Sequence, residues 1–167
     1  MKRLTIVRHA KSSWKAASLD DAARPLNQRG LRDAPRVGRY LDAHFGAPDL
    51  LASSPAVRAH TTARLLARAL GYRDDRIQIV DALYLASASA LGDFVAGLED
   101  DLGAVLLVGH NPGVSDFVER ATGDPVDLPT CAVASLRFPV ARWADTLHRR
   151  ARLAALVTPK TLPDAGE

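Results

Sequence analysis

Two histidines and a set of arginines stand where they could handle a phosphoryl group. His9 and its neighbour Arg8 follow the apolar run Leu4-Thr5-Ile6-Val7. His110 follows Gly109 behind a second run, Ala104-Val105-Leu106-Leu107-Val108. Between them, Ser53-Ser54-Pro55 comes directly after the segment 49–52, with Arg58 just beyond. A planar guanidinium offers a fork of donors that fits phosphoryl oxygens and offsets their charge. A neutral imidazole can attack phosphorus and carry the group as a covalent intermediate. A helix starting behind Ser54 would add backbone donors and a positive dipole end. This chemistry requires no metal and no cofactor. The five histidines, His9, His44, His60, His110 and His148, show no metal-ligand spacing.

Each piece alone is ordinary. An Arg-His pair is commonly a surface accident, and Gly-His-Asn-Pro is a common strand-to-helix turn. Their position in the chain is what joins them. Short β-branched runs alternate with helical periodicity. Strands are expected at 4–7, 49–52, 77–80, 104–108 and 132–138, with a last one at 151–157. Helices are expected at 27–44, from Ser54 (as cap, with Pro55 first) to about Leu70, from a serine cap over 89–100, and at 114–121. Residues 10–25 read as a surface loop. This alternation predicts an α/β fold: a mainly parallel sheet between helices on both faces, a three-layer sandwich. Ligands of such sheets bind at the carboxyl ends of the strands. Arg8-His9, Ser54 with Arg58, and His110-Asn111 would all emerge at that edge.

Composition agrees with one globular domain. The chain has 167 residues, 47% hydrophobic and 25% charged. We expect a single domain over 1–157 and a loose tail over 158–167. Of the 22 basic residues four are lysine (Lys2, Lys11, Lys15, Lys160), which leaves 22 − 4 = 18 arginines. A net charge of +3 is too small to imply nucleic acid by itself. The single cysteine excludes an internal disulfide framework. No signal-peptide core follows Met1-Lys2-Arg3 and no run of 18 apolar residues occurs, so neither a leader nor a membrane span is expected, and the expected location is the cytoplasm.

The motifs resemble those of a known family. Leu4-Thr5-Ile6-Val7-Arg8-His9-Ala10 is similar to the Arg-His-Gly signature of the histidine phosphatase superfamily, which has a phosphoglycerate mutase-like fold. Ser54-Pro55 with Arg58-Ala59-His60-Thr61-Thr62 resembles its second signature, and Val108-Gly109-His110-Asn111-Pro112 its third. Ala23-Arg24-Pro25-Leu26-Asn27-Gln28-Arg29-Gly30 and the short chain resemble the SixA-type phosphohistidine phosphatases in particular. The resemblance implies that His9 is the nucleophile, that Arg8 and Arg58 clamp the phosphoryl group, and that His110 stabilises its transition state. Asn111 joins the substrate-binding set. Arg24 either adds positive charge to the site or is a structural arginine before Pro25. The implied substrate is phosphohistidine in a protein. Two alternatives stand beside it: a small phosphate ester on the same fold, and an Arg-rich module that binds phosphate or nucleic acid without catalysis. The chain lacks the aromatic platforms and clustered basic face of a nucleic-acid binder.

Two departures stand out. Ala10 occupies the glycine of the first signature, which narrows the backbone angles open beside the nucleophile. Family members that cleave sugar or glycerate esters commonly carry a glutamate after the third strand, as a general acid. Here that stretch reads Asp81-Ala82-Leu83-Tyr84-Leu85-Ala86-Ser87, without a glutamate. Asp81, Asp20 and Asp21 are the candidate acids. An alkoxide, with a conjugate-acid pKa of roughly 15, needs a proton as it leaves. An imidazole leaves far more easily, so a site without a strong acid suits P–N bonds.

The remaining residues have simpler readings. Cys131 reads as a buried small hydrophobe, His60 as facing away from Arg58, and Trp143 as core or a hairpin contact. Trp14 either walls the entrance or pins the loop to the body, the second being preferred. The basic cluster His148-Arg149-Arg150-Ala151-Arg152 reads as a solvated edge, or else as a docking patch for an acidic partner.

Overall fold

A computed structural model describes residues 1–163. Among them, six strands form one sheet: β1 (Lys2–Arg8), β2 (Leu50–Ser53), β3 (Gln78–Ile79), β4 (Ala104–Gly109), β5 (Val133–Phe138) and β6 (Arg152–Val157). Their order is β3-β2-β4-β1-β5-β6. The first four run parallel, and β5 and β6 join antiparallel. The helices are α1 (Gln28–Phe45), α2 (Val57–Ala69), α3 (Ala88–Ala96) and α4 (Gly113–Thr122). None is long and apolar enough to cross a membrane among the described residues.

The sheet is covered on both faces, which is why its central strands are apolar without alternation. Neighbouring side chains of one strand enter different cores. Leu4, Ile6, Val105 and Leu107 join a cluster with Leu91 and Val95 of α3, Val114 and Val118 of α4, and Trp143. Val7, Leu106 and Val108 join another with Val37 and Leu41 of α1 and Ala59, Ala63 and Leu66 of α2. Trp143 is fully buried, and its indole N–H donates to the Leu102 carbonyl at 2.8 Å. Cys131 is likewise fully buried, with its thiol pushed up to about 12 by desolvation.

Several boundaries differ from the sequence expectation. Helix α2 begins at Val57, after an Ala56 cap that offers no side-chain acceptor, and not at Ser54-Pro55. The Ser54 hydroxyl is engaged elsewhere, as described below. Helix α3 is capped by Ser87, whose hydroxyl accepts from Ala90 N–H, and it ends at Ala96. Strand β3 pairs over two residues only. The segment after Val157 is not loose where it is described. Thr158 and Thr161 close a capping box around a short 3-10 turn, and Arg36 donates to the carbonyls of Leu162 and Pro163. Residues 164–167 of the expected tail lie outside the described residues. Helix α4 starts hard against the chain leading to α3. A Cβ on Gly113 would stand 1.8 Å from the Ala86 carbonyl oxygen, so only glycine fits there.

Candidate active site

The sheet register brings the expected site together. Arg8 lies opposite Gly109 on β4, and Ser53 of β2 lies opposite Val108. The residue after each strand therefore emerges at one edge. His9 N–H continues the ladder to the Gly109 carbonyl at 3.0 Å, and Ser54 N–H reaches the Val108 carbonyl at 3.1 Å. The His9 and His110 rings lie 5.2 Å apart, tilted by 53°. Both residues are buried, as is Arg58.

The surroundings of His9 fix which nitrogen can react. Its Nδ1 lies 2.7 Å from the Ala10 carbonyl oxygen, which only accepts, so Nδ1 holds the proton and Nε2 carries the lone pair. Desolvation, with the charges of Arg58, Arg8 and Arg24, lowers the His9 pKa to about 4 against the opposing Ala10 bond, and the ring is neutral at pH 7. The backbone around it is tied on two sides. Cys131 N–H is shared between the carbonyls of Arg8 and His9 at 3.1 and 3.0 Å. Ala10 N–H donates to Thr62 Oγ1 at 3.0 Å, and that hydroxyl donates to the Arg58 carbonyl. Ala10 is not among the residues with positive φ, so alanine stands in the signature's glycine position without backbone strain.

Three buried donors around the rings lack partners: Arg8 Nε, Arg58 Nε and His110 Nδ1. Buried polar groups are normally satisfied, and three that are not mark a place for an acceptor-rich ligand. Arg8 and Arg58 both depress the pKa of either ring, so the four groups share one neighbourhood. The His110 pKa falls to about 3, mainly through desolvation and the nearby His9. His110 Nε2 lies 2.7 Å from Ser54 Oγ, whose oxygen already accepts from Ala56 N–H at 3.2 Å. The Ser54 hydroxyl meets no other acceptor among the described residues, so it donates to Nε2, which leaves the His110 proton on the unpartnered Nδ1.

Of the three candidate acids, only Asp21 reaches this cluster. Its Oδ2 accepts from Tyr84 Oη at 2.5 Å and from Arg58 Nη2 at 2.8 Å; its Oδ1 accepts from Arg24 Nε and Nη2. The Tyr84 hydroxyl, then Arg58 and Arg24, hold this carboxyl well below the usual range. It carries no proton to give at neutral pH, contrary to the expected acid role. Asp20 and Asp81 are exposed, and neither side chain bonds to the cluster. Arg24 is buried beneath Trp14, whose ring centroid lies 3.6 Å from the guanidinium carbon, and it also donates to Ser12 Oγ at 2.8 Å. It thus fastens the 10–25 loop while its charge acts on His9. Trp14 itself is 72% exposed and is held by Arg24.

Asn111, expected to bind substrate, is occupied by architecture. Its Nδ2 donates to the Leu128 carbonyl at 2.9 Å, and its Oδ1 accepts from Ser115 N–H and Oγ–H. The same Leu128 carbonyl accepts from Arg8 Nη1 at 3.0 Å, so Asn111 supports Arg8 at one remove. Sequence reasoning missed Ser54 and Tyr84 as members of the site. Tyr84 stands edge-on to His110 at 5.6 Å. Ser54 lies within the second signature, but its place before a helix suggests a cap.

Comparison with known proteins places this arrangement. Residues 4–84 match the family model described as the histidine phosphatase superfamily, branch 1. An uncharacterized protein of Picosynechococcus is 31% identical over 171 residues, covering 95% of this chain and 98% of the relative. SixA from Agrobacterium tumefaciens superposes with a TM-score of 0.81 at 28% identity, over 95% of this chain and 98% of that one. A tungstate complex of the protein histidine phosphatase SixA shares the fold at a TM-score of 0.81 and 20% identity, over 95% of this chain and 97% of that one. With its motifs in order on a phosphoglycerate mutase-like fold, the chain belongs to the histidine phosphatase superfamily, in the SixA-type branch.

Proposed function

We propose that this chain is a phosphatase that works through a covalent phosphohistidine on His9, and that its substrate is phosphohistidine in proteins. One observation carries the reading: a neutral, buried imidazole with a free Nε2 stands beside three unpartnered donors, Arg8 Nε, Arg58 Nε and His110 Nδ1. In the first step the His9 Nε2 lone pair forms a bond to phosphorus as the P–N bond to the substrate imidazole breaks. The three donors take up the oxyanion charge. In the second, water attacks phosphorus, the His9–P bond breaks, and inorganic phosphate leaves.

The leaving-group side supports a P–N substrate. Asp21 is ionised, and Asp20 and Asp81 stand apart, so none of the three supplies the proton an alkoxide needs. A phosphoimidazole protonated on its other nitrogen leaves as neutral imidazole without an enzyme acid. Mass spectrometry of the protein trapped with phosphoramidate should find an acid-labile phosphoryl adduct on His9. A panel of phosphohistidine peptide against sugar phosphates should favour the peptide. An adduct elsewhere would overturn the nucleophile, and preference for a sugar phosphate would overturn the substrate.

A further inference from the structure

Asp21 occupies an unusual place for a carboxylate in a site that binds an anion. Its backbone carbonyl and its Oδ2 take both terminal nitrogens of Arg58, at 2.6 and 2.8 Å. Its other oxygen takes Arg24 Nε and Nη2, at 3.2 and 3.1 Å. A single negative charge is therefore shared between two of the three arginines whose fields reach His9. The third partner, Tyr84 Oη, comes from a different part of the chain. It anchors the carboxylate independently of the arginines, and Tyr84 is itself set against His110. The carboxylate is 43% exposed, whereas the Arg58 side chain is 3% exposed, so Asp21 covers the guanidinium on its outer side.

On the reading that this pocket binds a phosphoryl group, we propose that Asp21 is a built-in counter-charge that holds its affinity for phosphate anions low, so that product phosphate is released and does not accumulate on the enzyme. Phosphate and the carboxylate both draw on the Arg58 guanidinium, and like charges a few ångströms apart repel appreciably even at an effective dielectric near 20. Phosphate already gains Arg8 Nε, Arg58 Nε and His110 Nδ1 as donors, so the pocket does not depend on Asp21 for its hydrogen bonds. Asp21 thus sets affinity and does not act on the reacting atoms.

Isothermal titration with inorganic phosphate and with tungstate at pH 7 tests this on wild type, Asp21→Asn and Arg58→Ala. Asp21→Asn keeps the shape and removes the charge. Phosphate and tungstate should bind it about tenfold more tightly or better, and the inhibition constant of phosphate during turnover should fall in parallel. Equal or weaker binding would overturn the proposal and leave Asp21 as a brace for the arginines. Asp21→Ser is read in the same way should the asparagine variant not fold. If neither the wild type nor Asp21→Asn binds phosphate or tungstate, or if Arg58→Ala leaves binding unchanged, the phosphoryl pocket itself is refuted. Loss of binding in Arg58→Ala without tightening in Asp21→Asn refutes only the role given to Asp21.

Discussion

Ser54 and His110 share a 2.7 Å hydrogen bond that decides which ring nitrogen of His110 faces the pocket as a donor. The Ser54 hydroxyl meets no other acceptor among the described residues, so its proton goes to Nε2. Replacing Ser54 with alanine removes this bias and lets the imidazole adopt the other tautomer. We expect kcat to fall about tenfold, from the loss of one buried hydrogen bond worth about 1 kcal/mol together with a misplaced donor, with little change in KM. Steady-state kinetics checks the split.

His9→Ala should abolish turnover, by about a thousandfold or more, and should remove the acid-labile adduct while leaving the fold intact. Residual phosphoenzyme in this variant would contradict the assigned nucleophile.

Stability should depend on pH through His9. Its pKa is lowered to about 4 in the folded protein, against 6.5 for the free side chain. Below about pH 6.5 the unfolded chain takes up a proton that the folded protein refuses, so stability falls as pH drops, levelling near pH 4. His9 alone contributes up to about 3 kcal/mol to this loss, and His110, lowered to about 3, adds in the same direction. Urea unfolding of wild type and His9→Ala between pH 7 and 4 should show a shallower slope for the variant.

Asn111→Ala should loosen the turn that carries Leu128. Ser115 loses its acceptor, and the carbonyl that braces Arg8 loses one donor. The expected cost is about 1–3 kcal/mol of stability, with a rise in KM as Arg8 loses its support. Urea titration and substrate saturation measure the two effects.

Gly113→Ala tests the tight approach beneath the site. Its Cβ would lie 1.8 Å from the Ala86 carbonyl, which forces the backbone of α4 and the segment before α3 apart. A loss of about 1–3 kcal/mol or more in unfolding free energy is expected, read as a lower thermal midpoint for this variant.

Much of this site could be read from local pattern. β1 and β4 are short apolar runs buried on both faces, and the residues just beyond them, His9 and His110, had to emerge at the edge where parallel strands end. Local pattern failed where one residue serves a distant one. Ser54-Pro55 has the form of a helix cap, yet the hydroxyl that would cap is bound to His110. Asp20, Asp21 and Asp81 are chemically alike in sequence. Only a loop fold that sets Asp21 against Arg58 and Tyr84 separates them. Asn111 follows a motif histidine, but its amide is saturated by Ser115 and Leu128 across a turn whose path no periodicity reveals.

His9 grows out of β1, which lies between β4 and β5, with ladders on both sides. Amides in so interior a strand exchange with solvent only through the largest openings of a protein. The reactive ring is thus anchored to the part of the molecule least given to breathing, whereas Asp21 and Arg24 ride on a surface segment. The ring of His9 keeps its alignment for as long as the domain stays folded.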